Sequence, residues 1–392
     1  MSRFSFTGNA RFNGQDNKFP AYRSGETKTG NKYHSITFFV NSDDNNSGTV
    51  ELFGMKSSTI KTTTDEGEVE IDWSDRKDSK VVESVVGYRK NVIQLEEGNE
   101  NRKSFIASYD AVQYLWDNID ELKGKLITVT GRVTKNEYNG KISDRFQLQN
   151  VYVAKEDKKP GLNLTMEFFF SKDSFDFDSF KEDKRIYIHG YTQEWMSKEA
   201  PNVYVPLTLV MDCSKIDFDS SDHLKLFNGR WLPINLKYEK GKLSVDLKND
   251  RYYSMMMEIK YKNGSMEVPF DEEQLTDLQK KQLAAGVRTI DDFKPKSNIY
   301  GDRIIEYRLV NCNISSEKYS DGVVMLDDSD EFESLIYKLD TDDDSVELGM
   351  NPPEEKSEEE KPKKKTAAKK EEKKAEPEPE DDEDSFLDDL FE

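Results

Sequence analysis

A mainly β, α+β architecture follows from three features of the sequence. Short apolar runs rich in aromatic and β-branched residues alternate with period two. Turn-forming clusters punctuate them, and one stretch in the first 155 residues, "SYDAVQYLWDNIDELKG" at 108–124, has helical spacing instead. With 392 residues, 35% of them hydrophobic, the chain can supply real cores for two or three domains, since a domain takes roughly 100–200 residues.

The elements of the first unit can be read in order. "KYHSITFFVN" (32–41) and "TVELFGM" (49–55) are strands joined across "SDDNNSG". Ile36, Phe38 and Val40 share one face of the first strand and are expected in the core; Tyr33, Ser35, Thr37 and Phe39 share the other. A polar stretch follows at 56–107. In the helix, Ala111, Val112, Leu115, Ile119 and Leu122 form the apolar stripe, with Ser108 placed as N-cap and Gly124 at the C-terminal end. "KLITVTGRV" and "DRFQLQNVYVA" are two further strands, and Asn139-Gly140 favours a tight hairpin turn between them. With the opening segment as first strand, the order strand, strand, strand, helix, strand, strand is that of an OB fold, a five-stranded barrel.

Residues 1–157 are therefore expected to form an OB-fold domain with an insertion at about 56–107. At 158–219 a partial OB-like repeat is expected, in which "KRIYIHG" (184–190) echoes "KLITVTG" (125–131) and "LNLTMEFFF" (162–170) reads as a third strand. Any strands missing from a second barrel must come from 220–340, an α+β region with a helix expected from Asp271 to about Ala285. From 341 to 392 charge and proline are dense and apolar residues few, so this tail is expected to be disordered.

The formal net charge of −21, taken alone, argues against a polyanionic partner, yet its distribution points the other way. The last 52 residues hold 21 acidic and 9 basic groups. Residues 1–40 carry six bases against two acids, and residues 123–159 nine against four. If those two segments adjoin, an acidic protein presents one positive surface. Two cysteines, Cys213 and Cys312, and three scattered histidines, His34, His189 and His223, support neither a disulfide framework nor a zinc site. No cofactor is implied. Phosphate-cradling and nucleophile-elbow motifs do not occur, which argues against an enzyme. No run approaches the ~20 apolar residues that span a bilayer, and the N-terminus lacks the apolar core of a signal peptide, so cytoplasmic residence is expected.

Sequence-tolerant binding of single-stranded nucleic acid needs cations along the phosphates and flat rings under the bases. The first unit interleaves Arg3, Arg11, Arg23, Lys28, Lys32, Arg132, Lys135, Lys141 and Arg145 with Phe4, Phe6, Phe12, Phe19, Tyr22, Tyr33, Phe53 and Tyr138. Tyr22 and Tyr138 lie in polar loop sequence, where burial explains them poorly. Phe53 divides evenly between core and site, and individual lysines serve solvation more often than phosphate contact. From this set the candidate nucleic-acid-binding residues are Arg3, Arg11, Tyr22, Arg23, Lys32, Tyr33, Phe53, Arg132, Lys135, Tyr138, Lys141 and Arg145.

Four segments, "FTGNARF", "RSGETKTGNKYHSITFFVN", "VELFG" and "DELKGKLITVTGRV", resemble in order and spacing the bacterial-type single-stranded DNA-binding protein (SSB) family. The resemblance covers about 155 residues and the acidic C-terminal tip. It implies that Phe53 and Tyr138, the latter seven residues beyond Gly131, stack on bases, whereas Ser47 stands where the family has a second stacking tryptophan. It also implies a role in DNA replication, recombination and repair. The insertion and the extra domains depart from the cellular family and point to a phage-encoded relative acting in the host bacterial cytoplasm.

SSB proteins end in a linker and an acidic, apolar tip that docks on replication and repair enzymes. "DDEDSFLDDLFE" follows that plan, although Glu392 stands after Phe391 where the family ends in phenylalanine. The spacing of Phe386, Leu387, Leu390 and Phe391 predicts one apolar face of a helical turn offered to a partner's groove. Two alternatives stay open on the sequence: a non-enzymatic β-rich phage structural or assembly protein, and RNA instead of DNA as ligand. Oligomeric state is not legible.

Overall fold

The structure is a computed structural model that describes residues 2–338, apart from 44–45, 98–100, 139, 156, 198–199, 227–235, 249–250, 269–274, 286–287, 290–292, 294–298 and 313–322. The tip residues Phe386, Leu387, Leu390 and Phe391 lie outside the described residues.

In the first unit β1 (Arg3–Arg11) is followed by the edge strand β2 (Tyr22–Glu26), then β3 (Lys32–Asp43) and β4 (Asn46–Met55). The insertion forms a hairpin, β5 (Thr59–Thr64) and β6 (Gly67–Asp72), a short helix α1 (Ser79–Ser84), and a second hairpin, β7 (Asn91–Gln94) and β8 (Arg102–Phe105). Helix α2 (Ser108–Asp117) leads into β9 (Leu126–Tyr138) and β10 (Lys141–Val153). Pairing runs β1–β3–β4–β10–β9 and back to β1, all antiparallel except the parallel β4–β10 contact at Phe146↔Val50. That closed ring is the OB topology. The insertion hairpin β7–β8 extends the sheet through β10, with Val92 opposite Asn150.

Alternation builds the core: Phe4 and Phe6, Ile36, Phe38 and Val40, Val50 and Leu52 all point inward and are buried. Fully burying such a side chain is worth about 1.5–3 kcal/mol. Helix α2 closes one end of the barrel with Ala111, Val112 and Leu115. Its contact on β4 requires Gly54, because a Cβ there would stand 2.0 Å from the Tyr109 amide nitrogen. The helix differs from the expected one at both ends. Ala107 is the N-cap, and Ser108 Oγ instead donates to Asn91 Oδ1 at 2.9 Å. The helix breaks at Asn118, and Ile119–Leu122 continue as a 3₁₀ turn that keeps Ile119 and Leu122 buried.

A second barrel follows. β11 (Gly161–Phe170), the short β12 (Phe175–Asp176), α3 (Phe180–Asp183), β13 (Arg185–Glu194) and β14 (Val203–Asp212) lead to α4 (Ser221–Leu226). After it come the hairpin β15 (Leu236–Glu239) and β16 (Lys242–Val245), β17 (Tyr253–Val268), α5 (Asp277–Ala284), β18 (Ile299–Cys312), β19 (Val324–Met325) and α6 (Ser329–Ser334). Pairing runs β11–β13–β14–β18–β17 and back to β11, with β14–β18 parallel at Leu209↔Tyr307. This is the same closed topology, with two strands drawn from 253–312. "LNLTMEFFF" is thus the first strand of the second barrel, not a third, and "KRIYIHG" occupies the second strand whereas "KLITVTG" is the fourth of its own barrel. The echo reflects shared alternation and a glycine needed for close approach: a Cβ on Gly190 would lie 2.3 Å from the Phe169 carbonyl.

The barrels are one body. β1 pairs with β11 from Arg3↔Thr165 to Thr7↔Gly161, and Tyr261 of β17 packs against Phe6 and Phe146 of the first barrel at 6.2 and 5.2 Å. Asn46 ties the two backbones together, donating to the Tyr261 carbonyl and accepting from the Asn263 amide.

Candidate nucleic-acid interface

The outer wall of β2, β3 and β4 carries the densest group of candidates. Cross-strand register sets Arg23 opposite Ser35 and Ser35 opposite Phe53. One pair further along, Tyr33 stands opposite Met55, and at the other end Arg11 stands opposite Phe39. Phe53 is 40% exposed, and Tyr33 stacks beside it with centroids 5.6 Å apart and planes 28° apart. A large apolar ring this open on an alternating strand has left the core, and its paired tyrosine makes a flat platform. Arg11 is exposed on the same wall, whereas Lys32, of the opposite parity on β3, is exposed at the start of that strand in a loose surface pair with Glu26 at 3.9 Å.

Tyr138 and Lys141 form a second group. They face each other at the tip of the β9–β10 hairpin, with Tyr138 48% exposed. Because β10 runs parallel to β4, this tip lies toward the end of the wall opposite Phe53, roughly 25 Å away at ~3.3 Å per residue. Arg3 and Arg132 form a third group, directly opposite one another on β1 and β9. The candidates therefore spread around the barrel in three places.

Three candidates are placed otherwise than expected. Lys135 is buried: its Nζ lies 2.6 Å from Asp144 Oδ1, both side chains are 4% exposed, and it sits over the Tyr307 ring at 5.0 Å, so it holds the barrels together and cannot reach a phosphate. Tyr22 has one ring face covered by Trp116 at 5.0 Å and 8°, and its hydroxyl donates to Gln113 Oε1 at 3.0 Å. Burial is the main cause that raises its pKa. Arg145 is engaged by Glu51 at 2.7 Å, which offsets its charge on the wall.

Lys135 shares the barrel junction with residues outside the candidate set. Glu194 faces the same interior as Lys135, and burial pushes its carboxyl up to about 7. Its place on the inward face of β13, among apolar neighbours, was the one available signal. Cys213 and Cys312 are both buried, their thiols pushed up to about 12 by burial. Among the described residues no group of three or more His, Cys, Asp or Glu is placed to hold a metal ion, and no helix is long and apolar enough to cross a membrane.

No protein-family model and no curated protein matches the chain. Among solved structures it is similar to the wild-type single-stranded DNA binding protein from Thermus aquaticus, at 6% identity and a TM-score of 0.27, over 67% of this chain and 85% of that one. A deletion mutant of the same protein matches at 10% identity and a TM-score of 0.27, over 67% and 87%. The barrel topology stands on the strand pairings alone.

Proposed function

We propose that this protein binds single-stranded DNA without catalysis, coating it during replication, recombination or repair, and that its acidic tip recruits partner proteins. The observation that carries the reading is the platform of exposed Phe53 and half-buried Tyr33 on the β2–β4 wall of a closed OB barrel, flanked by Arg11 and Arg23. OB barrels grip nucleic acid across their second and third strands, which are β3 and β4 here. Stacking carries no sequence code, so the binding is sequence-tolerant. Tyr138 and Lys141 extend the track to the hairpin tip.

Fluorescence quenching by poly-dT, titrated at several salt concentrations on the intact protein, on Phe53→Ala and on Tyr138→Ala, tests the reading. A saturable complex that weakens steeply with salt and in both variants is expected. Absence of a saturable complex would leave the assembly-protein alternative in its place.

A further inference from the structure

On the second barrel the outer wall of β13 and β14, which corresponds in topology to the β3–β4 wall, is covered by the chain itself. Tyr191 and Tyr204 stand on the outer face of these strands, Phe169 lies opposite Tyr191 on β11, and Tyr252 directly precedes β17. Phe332 of α6 is held between Tyr204 and Tyr252, with ring centroids 4.0 and 4.2 Å away and interplanar angles of 34° and 29°. Tyr191 and Phe169 close the sides at 5.6 and 5.7 Å. A flat ring between two others has the geometry of a stacked base. Its flanks match: Asp327, Asp328, Asp330, Glu331 and Glu333 put five exposed carboxylates within seven residues around that ring.

Apart from the one buried ring of Phe332, this segment is attached by short pairings. Helix α6 is six residues long, too short to persist by itself. The segment is fixed by the two-residue pairing of β19 with β17, by Tyr252, whose hydroxyl bonds Glu333 and whose amide donates to Ser329 Oγ, and by main-chain bonds from the Tyr204 amide to the Leu335 carbonyl, from the Tyr337 amide to the Tyr204 carbonyl and from the Leu326 amide to the Tyr252 carbonyl. Arg251 donates to the Asp327 carbonyl at 3.0 Å, and Tyr337 donates its hydroxyl to Glu137. Glu137 is the neighbour of Tyr138, so the covering segment touches the hairpin at which the track on the first barrel ends.

We infer that residues 323–338 are a displaceable plug over a second single-strand contact. When Phe332 leaves, the Tyr204–Tyr252 slot receives a base, and Arg251 is freed to meet a phosphate. The inference rests on the single-strand reading of the first barrel: a strand longer than that barrel can hold passes Tyr138 and reaches the plug through the Glu137–Tyr337 contact.

Hydrogen exchange of the full chain, free and saturated with dT of about 8 and about 35 nucleotides, tests it, since one OB fold spans roughly 4–16 nucleotides. The long strand should speed exchange of the Leu326 and Tyr337 amides at least tenfold, and the short one should leave them unchanged. An Asp330→Asn/Glu331→Gln variant, altered at exposed carboxylates that touch neither Tyr204 nor Tyr252, should bind the long strand at least threefold tighter and the short one equally. If both strands bind, exchange stays constant and the variant matches the parent, the plug is a fixed part of the fold and the inference falls while the first-barrel reading stands. Binding of neither length removes both. Release of the segment by a synthetic peptide of residues 381–392 but not by long dT would assign the slot to acidic peptides and overturn the nucleic-acid assignment.

Discussion

Tyr307, on the last strand of the second barrel, donates its hydroxyl to Asp144 of the first, and the same carboxylate group holds Lys135 at 2.6 Å. Two ions and a phenol thus meet in a space closed to water, where each charge depends on the other. Removing one partner of a buried pair typically costs about 3–5 kcal/mol, because the survivor stays desolvated. Lys135→Met should lower stability by that amount in urea denaturation, while Lys141→Met at the exposed hairpin tip should stay within about 0.5 kcal/mol of the parent. The double change Lys135→Met/Asp144→Leu should recover most of the loss. A single-variant cost below about 1 kcal/mol would show that the pair is solvated in solution.

Glu194 borders the same junction, where Ser2 Oγ donates to it at 3.4 Å. Burial raises its pKa from the usual 4.5 to about 7, opposed in part by Lys135. Between those values the native carboxyl keeps a proton that the unfolded chain has released, so stability falls as pH rises through the window and the penalty is complete above it. The shift corresponds to about 3 kcal/mol. Glu194→Gln should therefore be more stable than the parent at pH 8 and nearly equal at pH 4.5. Urea midpoints at the two pH values check this, and an equal gap at both would remove the titration from the explanation.

Phe53 and Tyr22 are both aromatic residues of the candidate set, yet the structure separates them. Phe53→Ala removes a stacking surface without opening the core and should weaken poly-dT binding by about 1–3 kcal/mol with the melting temperature unchanged. Tyr22→Ala strips the partner from Trp116 and should lower the melting temperature. Anisotropy titration and thermal melting on the same two variants decide between the roles, and the assignment fails if the effects are interchanged.

How far these features are legible in the sequence depends on where the contacts lie along the chain. The strands of the first barrel are bounded by their own turns and alternate cleanly, so Ile36, Phe38 and Val40 declare their face locally. The second barrel is harder to read because its fourth and fifth strands, β17 and β18, begin more than forty residues after β14, beyond an interposed helix and hairpin. Lys135 reads as surface because a basic residue in a polar hairpin has that bland meaning; its burial comes from Asp144 on the facing strand and from Tyr307, 172 positions away. Tyr22 misleads for the same reason, since Trp116 is reached only through the tertiary fold. Phe332 carries no local signal at all: an acidic run reads as solvated until the tyrosines that grip its phenylalanine are seen.

If the protein binds single strands as proposed, the charge of the acidic tip should by itself lower the affinity. Residues 376–392 contribute ten carboxylates and no base, and a tethered polyanion should compete with phosphate for Arg11, Arg23 and Lys32. Deleting 376–392 should therefore tighten dT binding. The gain should shrink as ionic strength rises, because the screening length falls from about 30 Å at 0.01 M to about 10 Å at 0.1 M. Competition removed in this way should raise the association rate more than it lowers the dissociation rate, since the tip acts before the strand is seated. Stopped-flow titration of the truncated and intact chains at the two salt concentrations measures both rates, and equal or weaker binding by the truncated chain would show that the tip does not occupy the cationic wall.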